Sequence, residues 1–374
     1  MSWSWRLGRI AGIDIKVHWT FLIILLWVAV SYLIAGESVA AALYGVGMVL
    51  AIFACVVLHE LGHALMARHY GIPTRDITLL PIGGVAQLAR IPEKPKEEMM
   101  VAIAGPAVNV VIAIVLACAI GIMSGFTQLV PRQLIGSSSL LILMWLNLFL
   151  VVFNLLPAFP MDGGRVFRAW LAMKMDYVKA TNIAAWTGEA MAILFGIAGL
   201  FFNPLLVLIA LFVFLGAESE RQSVHVKHMV QGLTVRDAML TDYETLSPQQ
   251  TLNEAVDLLL AGDQHDFPVL QDGQWMGLLQ RSDLIRGLKD HGKDSLVEVV
   301  MMEDCDRISP TQPLEKILSR MRSSRCQTFP VMEEDQLIGL ISAENIGELI
   351  MVRSALEEQA GPPTKDPEKL VHVA

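Results

Sequence analysis

The sequence predicts a polytopic α-helical membrane domain, with about six transmembrane helices and a membrane-associated β-hairpin, followed by a soluble α/β domain. Three observations support this fold class. The 374 residues are 54% hydrophobic, with mean hydropathy +0.51, which is too apolar for an ordinary soluble protein. Residues 1–217 carry 13 Lys and Arg against 10 Asp and Glu, whereas residues 218–374 carry 15 against 27. Residues 232–290 and 295–351 also repeat one pattern, which predicts two similar subdomains.

Six apolar segments account for the predicted transmembrane helices, each of which needs ~20 mostly apolar residues. They cover about residues 18–35, 41–67, 99–123, 138–157, 181–201 and 203–217. Arg6, Arg9 and Lys16 precede the first segment, and the short loop after it has no cation. Cations favour the cytosolic side, so we expect an integral plasma-membrane protein with a cytosolic N-terminus. Six crossings then return the chain to the cytosol at Glu218.

The loop between the second and third segments has the composition of a β-hairpin. Residues 76–92, DITLLPIGGVAQLARIP, are apolar and interrupted by Gly83–Gly84, and they are too few to span a bilayer. The hairpin either dips into the membrane, where protein or water must satisfy its backbone, or lies on the surface. The residues leave both arrangements open.

The four cysteines indicate neither a disulfide framework nor a cysteine metal site. They lack any CxxC spacing and lie at Cys55, Cys118, Cys305 and Cys326. We therefore expect four free thiols. The N-terminal residues lack the small-residue cleavage site of a signal peptide, so we expect that they are retained.

Two histidines and a glutamate lie inside the second apolar segment, in the motif HELGH at residues 59–63. His59 and His63 are four residues apart and share one face of a helix. This motif supplies two zinc ligands and, in Glu60, a general base. A catalytic zinc also needs a third protein ligand and an open position. Because ionisable residues within a membrane are costly and usually functional, we predict a zinc centre rather than a histidine pair that only packs helices.

Asp162 is the predicted third ligand. The second and fourth segments run in the same direction, and the fourth ends in NLLPAFPMDGGR, residues 154–165. Asp162 therefore reaches the depth of the two histidines, and the prolines and Gly163–Gly164 break the helix there. An Asp-Gly pair alone is usually a turn. Three other carboxylates fit this depth less well, namely Asp76, Glu93 and Glu189.

Two asparagines are candidates for binding the substrate backbone or a developing oxyanion. Asn109 lies in the third segment, in AGPAVNV, and Asn154 begins the motif at the end of the fourth. For Asn109 the alternative is a hydrogen bond between helices, with Gly105–Pro106 as a packing kink.

These three motifs resemble those of the site-2 protease family of intramembrane metalloproteases. HELGH at 59–63, GPAVN at 105–109 and NLLPAFPMDGG at 154–164 follow in the family's order, and the resemblance covers about residues 5–217. It implies one zinc held by His59, His63 and Asp162, with Glu60 as catalytic base. It also implies regulated intramembrane proteolysis: cleavage in or near the transmembrane segment of a single-span protein, such as a membrane-bound anti-sigma factor, commonly after another protease has trimmed it.

The repeated unit resembles a pair of CBS domains, at residues 232–291 and 295–351, after a linker at 218–231. Such pairs often bind adenine nucleotides such as ATP through a hydroxyl and an Asp or Asn three residues later. The second repeat has Ser342 and Asn345 in GLISAEN. The first has Asp283 in GLLQRSD, but Gln280 replaces the hydroxyl. The alternative is a module without nucleotide that mediates homodimerisation or substrate docking.

Two other functional classes are consistent with this domain order. A CBS-regulated membrane transporter should have repeated spans or paired broken helices, and the sequence has no inverted repeat. A non-catalytic, nucleotide-sensing membrane scaffold would not need Glu60. The acidic soluble half argues against nucleic acid as a partner. We therefore expect a zinc metalloendopeptidase domain at 1–217 embedded in lipid, the CBS pair as its regulator, and a disordered tail at 361–374.

Overall fold

The computed structural model of the chain describes residues 4–81, 83–88, 92, 94–124, 138–321 and 324–360, with only the backbone for 357–360. The predicted disordered tail lies outside these residues. The chain divides into two compact units, residues 1–224 and residues 225–374.

The first unit is mainly helical. Its helices are α1 (Thr20–Ile34), α2 (Val39–His69), α3 (Pro95–Ser124), α4 (Ser139–Asn154), α5 (Asp162–Ala172), α6 (Tyr177–Phe201) and α7 (Pro204–Val230), the last continuing into the second unit. Each of the six predicted apolar segments overlaps one of these helices, and α5 is an additional helix. Among the described residues, α2, α3 and α6 are long and apolar enough to cross a membrane, while α1 and α4 are shorter apolar helices.

Close packing of α2 against α3 brings two of the predicted motifs together. A Cβ on Gly62 would lie 2.7 Å from the carbonyl oxygen of Ala104, which is closer than Cβ atoms approach in proteins. Ala64 and Ala67, on the same helix, are fully buried. Small residues allow helix backbones to approach in this way within a membrane, so HELGH lies directly against the Gly105 region of α3.

The two predicted strands pair with each other and are part of a larger sheet, while their association with the membrane stays a prediction. Its strands are β3 (Thr74–Leu80) and β4 (Gly83–Leu88), which pair antiparallel. The N-terminal residues add β1 (Ser4–Ile10) and β2 (Ile13–His18), and β2 pairs in parallel with β3. The strand order is β1-β2-β3-β4. Alternate residues of β2 are buried, as expected for a strand with one face on the protein, and β4 forms one edge of the sheet.

The second unit contains two similar halves. The first half holds α8 (Leu252–Ala261), β5 (Phe267–Gln271), β6 (Gln274–Leu279) and α9 (Arg281–His291); the second holds α10 (Leu314–Met321), β7 (Thr328–Glu333), β8 (Gln336–Ser342) and α11 (Ala343–Ala360). The segments that open the two repeats, LTVRDAML and LVEVVMME, have the pattern of a helix, whereas the structure has a short 3₁₀ turn in each, at Val235–Asp237 and Val297–Val299.

The two halves exchange their opening segments. Leu240, from the start of the first half, forms an antiparallel bridge with Leu340 of β8, and Met302, from the start of the second, bridges Leu278 of β6. Each opening segment therefore completes the sheet of the other half. This reciprocal pairing, together with contact between β6 and β8, makes the pair one packed body.

The prediction of four free thiols is wrong for two of the cysteines. Cys305 and Cys326 form a disulfide, whereas Cys55 and Cys118 are free. Both bonded cysteines belong to the core of the second half. Their spacing of 21 residues carries no recognisable signal, so only the fold brings them together.

Candidate metal centre

Three predicted metal ligands converge on one point. His59 Nε2 lies 3.2 Å from Asp162 Oδ2, His63 Nε2 lies 3.1 Å from the same oxygen, and the two Nε2 atoms are 3.1 Å apart. Both histidines are buried. Within the described part of the chain, these three residues are the group of His, Cys, Asp or Glu side chains that could hold a metal ion.

The hydrogen bond of His63 favours metal binding. Its Nδ1 lies 2.7 Å from the carbonyl oxygen of Val101. A carbonyl oxygen only accepts, so Nδ1 carries the proton, and Nε2 of the neutral ring presents a lone pair. That lone pair faces a carboxylate oxygen and a second imidazole nitrogen. A cation satisfies all three electron-pair donors at once, which one shared proton does not.

The donor set and its spacing fit zinc. Imidazole nitrogens and a carboxylate oxygen are common zinc ligands, and ligands about 2.0–2.1 Å from a tetrahedral zinc lie about 3.3 Å from one another. The observed spacings of 3.1 to 3.2 Å are close to this value. Three protein ligands leave the fourth position for water or substrate, which is the arrangement of a catalytic site.

Glycines leave room for the ligands. A Cβ on Gly105 would lie 2.1 Å from His63 Nε2 and 2.7 Å from His59 Nε2. On Gly163 and Gly164 it would lie within 2.3 to 2.6 Å of the backbone of residues 155–158. These two glycines allow the first turn of α5 to pack against the preceding segment, which holds Asp162 at the helix N-terminus, where the helix dipole favours a negative charge.

Glu60 lies beside the ligands and contacts the edge strand of the sheet. Its Oε2 accepts a hydrogen bond from the Ala86 amide of β4 at 3.2 Å. A Cβ on Gly84 would lie 2.8 Å from Glu60 Cγ, so the glycine pair of the hairpin allows β4 to approach the carboxylate. The contact brings the apolar loop between α2 and α3 to the candidate site.

The three predicted ligands line a cavity of about 490 Å³. Asn109 and Asn154 line the same cavity, so all six membrane candidates lie together. Asn109 is fully buried, and neither atom of its amide has a hydrogen-bond partner among the residues that the structure describes. Leaving such a group unpaired costs about 1–3 kcal/mol, so Asn109 fits a ligand-binding role better than the alternative of a helix-to-helix hydrogen bond.

A buried ion cluster near the site was not predicted. Arg168 of α5 donates from Nε to Glu98 of α3 at 2.9 Å and from Nη1 to Glu220 of α7 at 2.7 Å. The sequence suggests only that Arg168 lies near the cytosolic end of the membrane domain. A glutamate and an arginine next to apolar segments could have suggested an ion pair, but no spacing rule links residues that are 70 positions apart in the sequence.

The second unit has a polar cleft of about 540 Å³. Ser342 and Asn345 line it, and the Ser342 hydroxyl donates to Asn345 Oδ1 at 2.8 Å. Asp283 does not line this cleft and instead pairs with Arg286 at 3.3 Å. Gln280, which replaces the hydroxyl of the first repeat, is buried and accepts from the Gln327 amide. The structure therefore brings together two of the three predicted nucleotide-site residues.

Comparison with known proteins identifies both parts of the chain. The model of peptidase family M50 matches residues 47–136 and 129–195, and the CBS domain model matches residues 235–290 and 297–351. The zinc metalloprotease MJ0392 of Methanocaldococcus jannaschii is 35% identical over 365 residues, which cover 96% of this chain and 99% of that protein.

Two further relatives are more partial. Stage IV sporulation protein FB of Bacillus subtilis is 24% identical over 66% of this chain and 86% of its own length. The solved site-2 protease of Methanocaldococcus jannaschii is 42% identical, covers 58% of this chain and 95% of that structure, and gives a TM-score of 0.43. The full-length similarity to MJ0392 and the two family-model matches establish that the chain belongs to the site-2 protease family, as an intramembrane zinc metalloprotease that also carries a pair of CBS domains.

Proposed function

We propose that His59, His63 and Asp162 hold the catalytic zinc and that Glu60 is the general base. The convergence of three electron-pair donors at 3.1 to 3.2 Å carries this assignment. Zinc supplies a Lewis acid that polarises the scissile carbonyl and acidifies water. Glu60 takes the proton from the attacking water and passes it to the leaving amine. Its carboxylate is oriented for this by the Ala86 amide.

Asn109 and Asn154 are the proposed contacts to the substrate backbone. The buried amide of Asn109 offers two N–H donors and a carbonyl acceptor to a peptide in the cavity. A donor directed at the carbonyl oxygen stabilises the negative charge that develops there. Asn154, at the end of α4, lines the same cavity and is a second donor for the same peptide.

We propose that the substrate segment unwinds and adds to the edge of β4. Peptide bonds in a transmembrane helix are shielded by the helix's own hydrogen bonds, so hydrolysis needs an extended chain. β4 is an edge strand whose residues line the cavity, and strand addition supplies main-chain hydrogen bonds regardless of sequence. Single-span membrane proteins, including a membrane-bound regulator of the anti-sigma type, are the substrate class that meets this requirement.

Backbone methylation of a substrate peptide tests strand addition. Alternate residues of an added strand point their amides toward β4. N-methylation of one alternate set near the cut site should lower kcat/KM, while methylation of the other set is the matched control. Equal effects of the two sets would refute addition to β4.

For the membrane arrangement we propose six crossings, by α1, α2, α3, α4, α6 and α7, in the plasma membrane. The N-terminus and the CBS pair lie in the cytosol, and the domains follow the boundaries 1–217, 232–291 and 295–351. The cations before α1 and in the loop around Lys94 and Lys96 support this orientation. Single-cysteine chains carrying Glu37→Cys or Lys94→Cys should react with an impermeant thiol reagent from opposite sides of the membrane. Labelling of both positions from the same side would refute this orientation.

The CBS pair is a candidate adenine-nucleotide sensor. Ser342 and Asn345 in the cleft support one site beside the second repeat. We expect calorimetric titration with ATP to give a binding signal. Asn345→Ala should remove this signal, and Asp283→Asn should retain it, because Asp283 lies outside this cleft. The absence of a binding signal would favour the alternative of a homodimerisation or docking module. Light scattering of the purified protein measures homodimerisation directly.

Zinc content and cleavage, measured together, test the main proposal. The purified chain and its Glu60→Gln variant should both contain one zinc, and only the unchanged chain should cut single-span substrates. Loss of a positioned general base typically lowers the rate 10²–10⁴-fold. A metal-free wild type would refute the ligand assignment, and full activity in Glu60→Gln would refute the role of Glu60.

A further inference from the structure

Arg168 is a fully buried charge next to the metal centre. Its relative exposure is 0%, and that of its partner Glu98 is 2%. Arg168 donates to Glu98 from Nε at 2.9 Å and also from Nη2, and it donates to Glu220 from Nη1 at 2.7 Å. Buried charges persist only where they are paired and hydrogen-bonded. The planar guanidinium meets this condition by contacting two helices besides its own.

Each partner of the Arg168–Glu98 pair lies next to a segment that orients a proposed zinc ligand. Glu98 is three residues before Val101 on α3, and the Val101 carbonyl accepts the hydrogen bond that orients His63. Arg168 lies on α5, the helix that begins at Asp162. The pair therefore joins the segment behind one ligand to the helix that carries another.

Arg168 also contacts the segment that leads into Asp162. Its guanidinium carbon lies 5.0 Å from the centre of the Phe159 ring, and Phe159 is fully buried three residues before Asp162. A cation over an aromatic ring is attracted to it. Arg168 therefore holds the preceding segment against α5, and Asp162 is fixed from both sides.

We propose that Arg168 and Glu98 are positioning residues of the metal centre, whose ion pair sets the spacing between His63 and Asp162. The proposal rests on the zinc assignment above. An atom about 5 Å from a helix axis moves about 0.9 Å when the helix rotates by 10°, and functional groups tolerate displacements of only about 0.5 Å. A helix that carries a ligand therefore needs an anchor against rotation, and Arg168 provides one about 9 Å along α5 from Asp162.

Two variants separate positioning from general stability. Arg168→Lys keeps the buried charge and removes the fork that contacts Glu98 and Glu220 together. Glu98→Gln keeps the side-chain size and leaves Arg168 paired with Glu220. The matched control is Arg221→Met, which removes ion pairs with Glu189 of α6 at 3.0 Å and with Glu218 of α7.

Metal affinity and the spectrum of the cobalt-substituted protein are the readouts, measured on the full chain in detergent alongside thermal unfolding. We expect Arg168→Lys and Glu98→Gln to release zinc to a chelator at least about 10-fold more readily, and their cobalt spectra to change. Arg221→Met should match the wild type in both. Wild-type zinc affinity and spectrum in both variants, with only a lower melting temperature, would overturn the proposal.

A wild type that binds no zinc would overturn the ligand assignment itself, and the positioning role with it. That result is distinct from a failure of the positioning role alone, in which the wild type and both variants bind zinc equally. If Arg168→Lys does not fold, Glu98→Gln decides the question by the same two measurements.

Discussion

Replacing Gly105 by alanine should disable the metal centre through one added methyl group. The new Cβ would lie 2.1 Å from His63 Nε2 and 2.7 Å from His59 Nε2. Ordinary contact begins at 3.4 Å, so the methyl and His63 must separate by about 1.3 Å, which exceeds the roughly 0.5 Å that a functional site tolerates. Since a 1 Å misplacement can cost about 100-fold in rate, we expect kcat/KM to fall at least about 100-fold and bound zinc to fall with it.

The assay is cleavage of a single-span substrate in detergent, with zinc measured on the same preparation. Gly47→Ala is the matched control, because Gly47 lies on α2 with nothing within 4 Å of its added Cβ. There alanine should be neutral or raise helix stability by up to about 1 kcal/mol. Wild-type zinc content and activity in Gly105→Ala would refute the argument that this glycine makes room for the ligands.

Three further changes have separable outcomes. Asn109→Leu should lower kcat/KM about 10²–10³-fold. The melting temperature should not fall, because the substitution removes an unpaired buried amide. Unchanged cleavage would exclude a role of Asn109 in binding substrate. The Thr251 amide and hydroxyl donate hydrogen bonds to Glu254 and hold the pKa of its carboxyl group below the ordinary value of 4.5. The stability that these bonds contribute is therefore complete at pH values above 4.5 and is lost as the pH falls through the pKa of Glu254 in the folded protein. The melting temperature of Glu254→Gln should therefore fall less in acid than that of the wild type, and parallel curves of melting temperature against pH for the two proteins would contradict this. Reduction of the Cys305–Cys326 disulfide should destabilise the CBS unit by about 3 kcal/mol, measured as a lower urea midpoint that Cys305→Ser reproduces; equal midpoints would show that the bond does not constrain the unfolded chain.

The convergence of the proposed catalytic residues could be predicted because local rules place them. Four-residue spacing puts His59 and His63 on one helix face, and the direction of the apolar segments gives the depth of Asp162. The Arg168–Glu98 pair follows no such rule, since it depends on how α3 and α5 pack. Gly105 is a similar case. Its sequence suggests a packing kink, whereas in the structure it lies directly against the nitrogen atoms of the predicted histidine ligands.

The sheet and the disulfide were only partly predictable for a related reason. Apolar composition and a Gly-Gly break predict the hairpin of β3 and β4, because its two strands are adjacent in sequence. The partner of β3 is β2, which α1 and α2 separate from it along the chain. Parallel pairing of this kind leaves no local signal, and neither does a disulfide between two buried segments of one core.

The parallel pairing of β2 with β3 has a consequence for biogenesis. During synthesis the β1–β2 hairpin emerges before α1 and α2, and its partner strand β3 emerges only after both helices have been made. Until then β2 presents an unpaired edge, and such edges readily pair with other chains. Contacts between residues so far apart in sequence also form slowly. The four-stranded sheet whose edge strand β4 lies beside Glu60 is therefore completed only after α1 and α2 have been synthesised.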